Sequence, residues 1–406
     1  MSWLLIILQA MQAAPTTPTL DLATLEAQTL ARHPAIRRAA ADVEAARSRA
    51  AQKGAWPNPV VGGSTEELRP RESPSGYFGG FIQQTIPLGG TLGASRAVGE
   101  RELAVAEAAL ATTRQQIVAD VRDRYYRVLV AEERRTVAAH LSELASESAV
   151  IAKQLFNVGI ADQPDVLTSE AEAAQARAVL VSVNALRLAA WQRLAAATAD
   201  PSLVPQKLAG SISDALPTLD RDATLTRVLA ENASLQEAAR GADTARASVN
   251  LEKRVTRPDL YLRFDGGANR EISDGRAIGP QFGLEAGISV PLFNRNHGGI
   301  ASATSRVLSA DATVDDMRLD LTGRFAEVFA QYDGARAMVD AYRVEILPRV
   351  ERAYALQLAK YREMAAAYPA VLLAQRMVFQ MNDQYLDAIE RAWMASNALR
   401  SALAIR

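Results

Sequence analysis

Cysteine is absent from all 406 residues, which removes disulfides, thiolate metal ligation and a lipid-bearing cysteine from this chain together. An excess of charge is missing too. Lys and Arg total 45 against 46 Asp and Glu, so no basic footprint exists for a phosphate backbone, and nucleic acid is not an expected partner. The histidines His33, His140 and His297 stand far apart, none with a second histidine at i+3 or i+4, so no metal cluster is expected. His33 reads as the end of a helical turn before Pro34, His140 as part of a rod and His297 as part of a glycine loop. No phosphate loop, nucleophile elbow or zinc-protease pattern occurs, and neighbours such as Glu132 and Glu133 read as solvated helix faces. Neither an enzyme nor a cofactor is expected. Finally, no apolar run reaches the roughly 18 residues that a spanning helix needs. Any membrane insertion must use strands.

What the chain does contain, it contains twice. FIQQTIPLGGTLGA at 81–94 and LEAGISVPLFNRNHGGIA at 284–301 each run from alternating apolar residues through Pro-Leu and glycines into an alanine-rich segment. The surrounding segments repeat in the same order, which divides the chain into 15–199 and 219–406, joined by an irregular Pro/Gly/Ser-rich linker at 200–218. Within the copies, strands are expected at about 58–87 and 258–291, and long helices at about 92–199 and 300–405. Residues 1–14, MSWLLIILQAMQAA, resemble a signal peptide, with an apolar core and small residues before a cleavage near Ala13. No Lys or Arg precedes that core.

Residues 92–157 lack proline and are dominated by Ala, Leu, Arg and Glu, which predicts one helix of about 60 residues, roughly 90 Å long. In the second copy Phe325, Val328, Tyr332, Ala335, Val339, Tyr342 and Ile346 step by three and four without a break, the seam of a coiled coil. Tyr125 and Tyr126 read as core and interface packing. Each rod ends at a turn, LFNVGIADQPDVL or KYREMAAAYPAVL, and a second helix returns from it. Gly159 suits a helix C-terminus, and Pro164 suits the first turn of the helix after it.

The strand segments alternate. Leu260, Leu262 and Phe264 share one face against Tyr261, Arg263 and Asp265; Phe282, Leu284, Ala286, Ile288 and Val290 share another against Gln281, Gly283, Glu285, Gly287 and Ser289. In the first copy Phe78, Gly80, Ile82 and Ile86 are interrupted by Gln84. About ten residues of such alternation fits a transmembrane β-barrel strand, and it fits equally an antiparallel sheet with one wet face. Two hairpins give four strands per chain, whereas a closed barrel needs about eight or more. One chain cannot close a barrel alone.

This tandem order, together with Phe156, Gly159, Asp165, Val166 and Leu167 at the first turn, resembles the TolC-type outer membrane factors over nearly the whole chain. SVPLFNRNHGGIASA at 289–303 is most similar to their cobalt–zinc–cadmium branch. The resemblance implies a mainly α fold with a membrane β-barrel part: a homotrimer whose strands form one twelve-stranded barrel in the outer membrane, continued by a helical barrel in the periplasm. It implies a passive exit duct for divalent heavy metal ions, with outer membrane lipid around it and two protein partners, a periplasmic adaptor (membrane fusion) protein and an inner-membrane RND-type pump. Pro87, Gly89 and Gly90, with Pro291, Gly298 and Gly299, would mark the passages from strand to helix, proline ending the ladder and glycine permitting the turn. Gly159, Asp162, Asp165, Met364 and Ala370 would lie at the tips that meet the adaptor. The second tip departs from the family: Met364 stands where the turn glycine belongs, and Ala370 and Leu373 where relatives often carry pore-facing aspartates, which puts a cation-binding gate in doubt. Asp165 also fits an ordinary helix N-terminal acid. Two other readings remain: a duct of the same fold for drugs or small organic compounds, and a soluble periplasmic coiled-coil adaptor or scaffold.

Overall fold

The computed structural model describes residues 19–69, 75–212, 216–273, 276–365 and 367–404. The proposed signal segment, 1–14, lies outside them. Helices α1 (Leu22–Arg32) and α2 (Pro34–Lys53) precede strands β1 (Val60–Arg69) and β2 (Ser75–Pro87), then α3 (Thr91–Asn157) and α4 (Gln163–Ala197). The second half follows the same order with α5 (Arg221–Glu231), α6 (Ala233–Arg254), β3 (Asp259–Ser273), β4 (Arg276–Ile288), α7 (His297–Ala341), a π turn (Tyr342–Ile346), α8 (Leu347–Arg362) and α9 (Tyr368–Arg400). The described residues divide into two compact units: those within 1–36, 113–232 and 321–406 form one, those within 37–112 and 233–320 the other.

The helical unit repeats its local chemistry. Both α1 and α5 have 11 residues and an Asp N-cap: Asp21 accepts from the Thr24 amide at 3.0 Å, and Asp220 from the Ala223 amide at 2.8 Å. Each helix gives way after one extended residue, His33 or Asn232, to the longer helix that follows. At His33 the cause is visible in the sequence, because Pro34 keeps the preceding residue out of the helical region. The linker is irregular but pinned: the Tyr125 hydroxyl lies 2.6 Å from the Ala209 carbonyl, and the Tyr332 hydroxyl donates to that of Pro217. Leu208 and Ile212 are buried, one in the cluster around Trp191 and the other in the cluster around Trp393.

The aromatic seam of α7 is present, with a correction. Phe325, Phe329, Tyr332, Val339 and Tyr342 are buried, so Phe329 takes the central place that the spacing assigns to Val328. The seam is also not unbroken. Pro348 has no amide hydrogen to offer the Val344 carbonyl, and the helix widens just before it, the Leu347 amide reaching back to Tyr342. A second difference lies at the end of α9, which stops at Arg400 rather than 405. There Ala402 and Leu403 take positive φ, and the Leu403 amide bonds the Ala398 carbonyl at 2.8 Å, closing the last turn.

Candidate functional site

The strand-bearing unit holds one antiparallel sheet in the order β1-β2-β3-β4, so among the described residues β1 and β4 each have one unpaired edge. The register assigns the faces. Leu262 pairs with Ala286 and Gln84, and Phe264 with Leu284 and Ile82, while Val61 lies opposite Ile82. Their face is apolar and uncovered: Phe282 and Leu284 are 75 % and 77 % exposed. The other face carries Tyr261, Arg263, Asp265, Glu285 and Gln281, cross-linked by Tyr261 to Glu285 at 3.1 Å and by Asn269 to Gln281 at 3.2 Å. Gln84, which interrupts the apolar set, is accounted for locally. Its side-chain amide donates to the carbonyls of Pro57 and Thr85, both at 2.9 Å, so its polar end is satisfied by backbone.

At the first strand-to-helix passage Pro87 is the last residue of β2, opposite Asp259. Gly90 then takes φ +68° and α3 begins at Thr91. Gly89 serves by its size: a Cβ there would stand 2.7 Å from Cβ of Arg257 and 2.9 Å from the Arg254 carbonyl. The second passage works otherwise. Pro291 lies beyond the end of β4, but Gly298 and Gly299 fall in the first turn of α7 and neither has positive φ. The turn residue is Asn296, φ 51°, whose side-chain amide donates to the Glu252 carboxylate at 2.6 Å and carbonyl at 3.1 Å. The expectation that those two glycines turn the chain is therefore corrected: a short polar side chain tolerates the left-handed region when it is hydrogen-bonded, and asparagine does so here.

The two tips share one backbone solution. Gly159 has φ +79°, its amide bonds the Phe156 carbonyl at 2.9 Å, and the Ile160 amide bonds that of Leu155 at 2.9 Å. Met364 has φ +62°, with the matching bonds to Tyr361 at 3.1 Å and from Ala365 to Lys360 at 2.7 Å. Both are Schellman closures. Only the first has the residue that suits one. Met364→Gly is therefore expected to stabilise the helical unit by about 1 kcal/mol, read as a rise in the denaturant midpoint at unchanged slope. Asp162 and Ala367 occupy the N-cap positions of α4 and α9 and neither makes a side-chain cap bond. Ala370 lies in the first turn of α9, and Leu373, one turn on, is 67 % exposed.

Asp165 lies in the first turn of α4. Burial, and next the carboxylate of Asp162, hold its pKa above the usual range despite a hydrogen bond from the Asp162 backbone. A folded carboxyl that holds its proton more tightly than the unfolded chain does is stabilised as pH falls from neutral through the raised value, and destabilised as pH rises through it. Asp165→Asn is expected to raise the thermal midpoint near neutral pH and to remove this dependence, which thermal scans across mildly acidic pH would reveal.

No group of three or more His, Asp or Glu among the described residues could hold a metal ion. His33 caps α1, and its Nδ1 accepts from the Ala35 amide at 3.2 Å; His140 lies exposed on α3 and His297 opens α7. Among the described residues no helix is long and apolar enough to cross a membrane. The features that composition hid are Trp191 and Trp393, whose recurrence near the ends of α4 and α9 is visible once the two copies are aligned at the tips.

With this geometry in hand, comparison with known proteins is specific. A family model described as "Outer membrane efflux protein" matches residues 25–200 and 224–404. The cobalt-zinc-cadmium resistance protein of Cupriavidus metallidurans is 28 % identical over 349 residues, covering 84 % of this chain and 80 % of that one. The nickel-cobalt-cadmium resistance protein of Alcaligenes xylosoxydans xylosoxydans is 28 % identical over 325 residues, 78 % of this chain and 70 % of that one. Among solved structures, CusC superposes with a TM-score of 0.80 at 16 % identity over 95 % of this chain and 92 % of that one. The outer membrane protein VceC of Vibrio cholerae gives 0.76 at 19 % identity over 94 % and 96 %. These likenesses show the fold.

Proposed function

Since the chain belongs to the outer membrane efflux protein family, we propose that it is the passive exit duct of a tripartite pump, carrying divalent heavy metal ions from the periplasm to the outside. One observation carries the structural half of this reading: a four-stranded sheet with two unpaired edges and one uncovered apolar face. In lipid an unpaired edge leaves backbone groups unsatisfied, and three chains supply twelve strands that close on themselves. The duct is a homotrimer in this reading, its barrel in the outer membrane and its helices in the periplasm. Residues 15–199 and 219–406 are its two structural repeats around the 200–218 linker, and 1–14 is the export signal.

The tips around Gly159, Asp162, Asp165, Met364 and Ala370 meet a periplasmic adaptor in this reading, and an inner-membrane RND-type pump supplies the energy. A duct needs no ligand cluster, because a tight site would retain the ion rather than pass it on. Support for the cargo comes from the metal-resistance relatives and from the 289–303 stretch. Fractionation of outer membranes followed by a native mass tests the assembly; a soluble monomer overturns it. Deletion of the gene followed by tolerance assays on cobalt, zinc, cadmium and nickel beside dyes and antibiotics tests the cargo. Sensitivity confined to the organic compounds would reassign the cargo and leave the duct standing.

A further inference from the structure

The polar face of the sheet has a pattern of its own. Tyr261 stands directly opposite Gly287, and Phe81 directly opposite Gly62. In both pairs the ring lies down over the glycine. A Cβ at Gly62 would come within 2.7 Å of the Phe81 ring, and one at Gly287 would overlap the Tyr261 ring, with no other neighbour among its nearest contacts. Tyr77 likewise covers Gly79 and Gly267, a Cβ at the latter falling 2.7 Å from its Cζ.

The rings are held down from the far side. Arg263 places its guanidinium 4.1 Å from the Phe81 centroid, so that ring is layered between a glycine backbone and a cation. Tyr261 is tied by its hydroxyl to Glu285 at 3.1 Å. The apolar face has one such pair, Gly266 opposite Phe282, whose ring would stand 3.0 Å from an added Cβ; at Gly63 and Gly80 the nearest atoms to an added Cβ are backbone oxygens 3.8 Å and 3.5 Å away, and no ring covers them. Aromatic cover of a cross-strand glycine stabilises sheets in general. Here it is concentrated on the side that the proposed function makes the lumen.

We propose that Gly62 and Gly287 set the bore of the strand channel by letting Phe81 and Tyr261 lie flat against its wall, and so fix the widest species that passes. A side chain at either glycine lifts the ring off the wall toward the lumen, and at Phe81 it moves the Arg263 guanidinium inward with the ring. The inference rests on the reading of the polar face as the lumen, and the test separates the two.

Because the chain has no cysteine, a single Ser289→Cys variant is a clean reporter. Ser289 follows Gly287 on the same face, its amide bonded to the Asp259 carbonyl at 3.1 Å, at the helix-bearing end of the sheet. Maleimides added outside intact cells must pass both ring layers to reach it. With a narrow maleimide the labelling rate is expected to be unchanged by Gly287→Ala, which also reports that the fold is kept. With a maleimide carrying a bulky polymer chain, Gly287→Ala and Gly62→Ala are each expected to slow labelling several-fold, Tyr261→Ala to restore it in the Gly287→Ala background, and Gly80→Ala to do nothing. Equal rates with the bulky reagent, or an equal slowing by Gly80→Ala, would overturn the bore proposal. Labelling of Leu284→Cys by water-soluble maleimide as fast as Ser289→Cys would instead overturn the membrane reading beneath it.

Discussion

Leu284→Arg is expected to lower the stability of the lipid-embedded strand channel by about 2–4 kcal/mol, while Gln281→Arg on the same strand changes it by no more than about 0.5 kcal/mol. Leu284 pairs with Phe264 in the interior of β4, away from both strand ends, where a lipid-facing charge costs most. Gln281 points to the opposite face and hydrogen-bonds Asn269, a setting in which a cation finds water and polar partners. Urea titration of the channel reconstituted in lipid vesicles measures both. The contrast between the two positions decides between the alternatives that alternation leaves open. A sheet in water has no reason to penalise arginine at a site already 77 % exposed, so two small, equal effects would mean that this face meets solvent.

Much of this architecture was legible because its periods are simple. The set Leu260, Leu262 and Phe264 falls on the face that the register gives it, and α3 begins within a residue of where helical composition starts. Pairing could not be read, since nothing in the sequence says that β2 neighbours β3 across the two halves. The passages were half legible. Pro87 and Gly90 act as their residue types suggest, whereas Asn296 replaces glycine through a hydrogen bond to Glu252, 44 residues earlier, that no local pattern announces. At the tips the missing glycine was visible but its consequence was not. Met364 keeps the same left-handed turn, because the two closing hydrogen bonds hold the backbone where the side chain is disfavoured. The π turn follows the same logic: Pro348 is plain in the sequence, yet proline alone does not say whether a helix stops, kinks or widens.

The other large effect is expected in the helical unit, where Trp393→Ala should cost about 3–5 kcal/mol in denaturant unfolding. Trp393 is 6 % exposed, and its ring stacks on Tyr126 at 4.4 Å with 13° between the planes. Its Nε1 donates to the Ile212 carbonyl at 3.1 Å, so one side chain joins α9, α3 and the linker between the two halves. Trp191 occupies the corresponding stretch of α4 but uses its Nε1 differently, donating to Glu132 at 2.7 Å. A carboxylate on the partly exposed side of α3 can recover water when the indole is removed; the Ile212 carbonyl, set in a buried cluster, cannot. Trp393→Phe should therefore keep most of the ring contact and still cost about 1–3 kcal/mol for the orphaned carbonyl. Trp191→Phe should cost less than that, and Trp56→Ala, at an exposed position before β1, least of all. If Trp393→Phe proved as mild as Trp56→Ala, the bond to Ile212 would not be what holds the linker, and its order would have to come from the buried side chains of Leu208 and Ile212 alone.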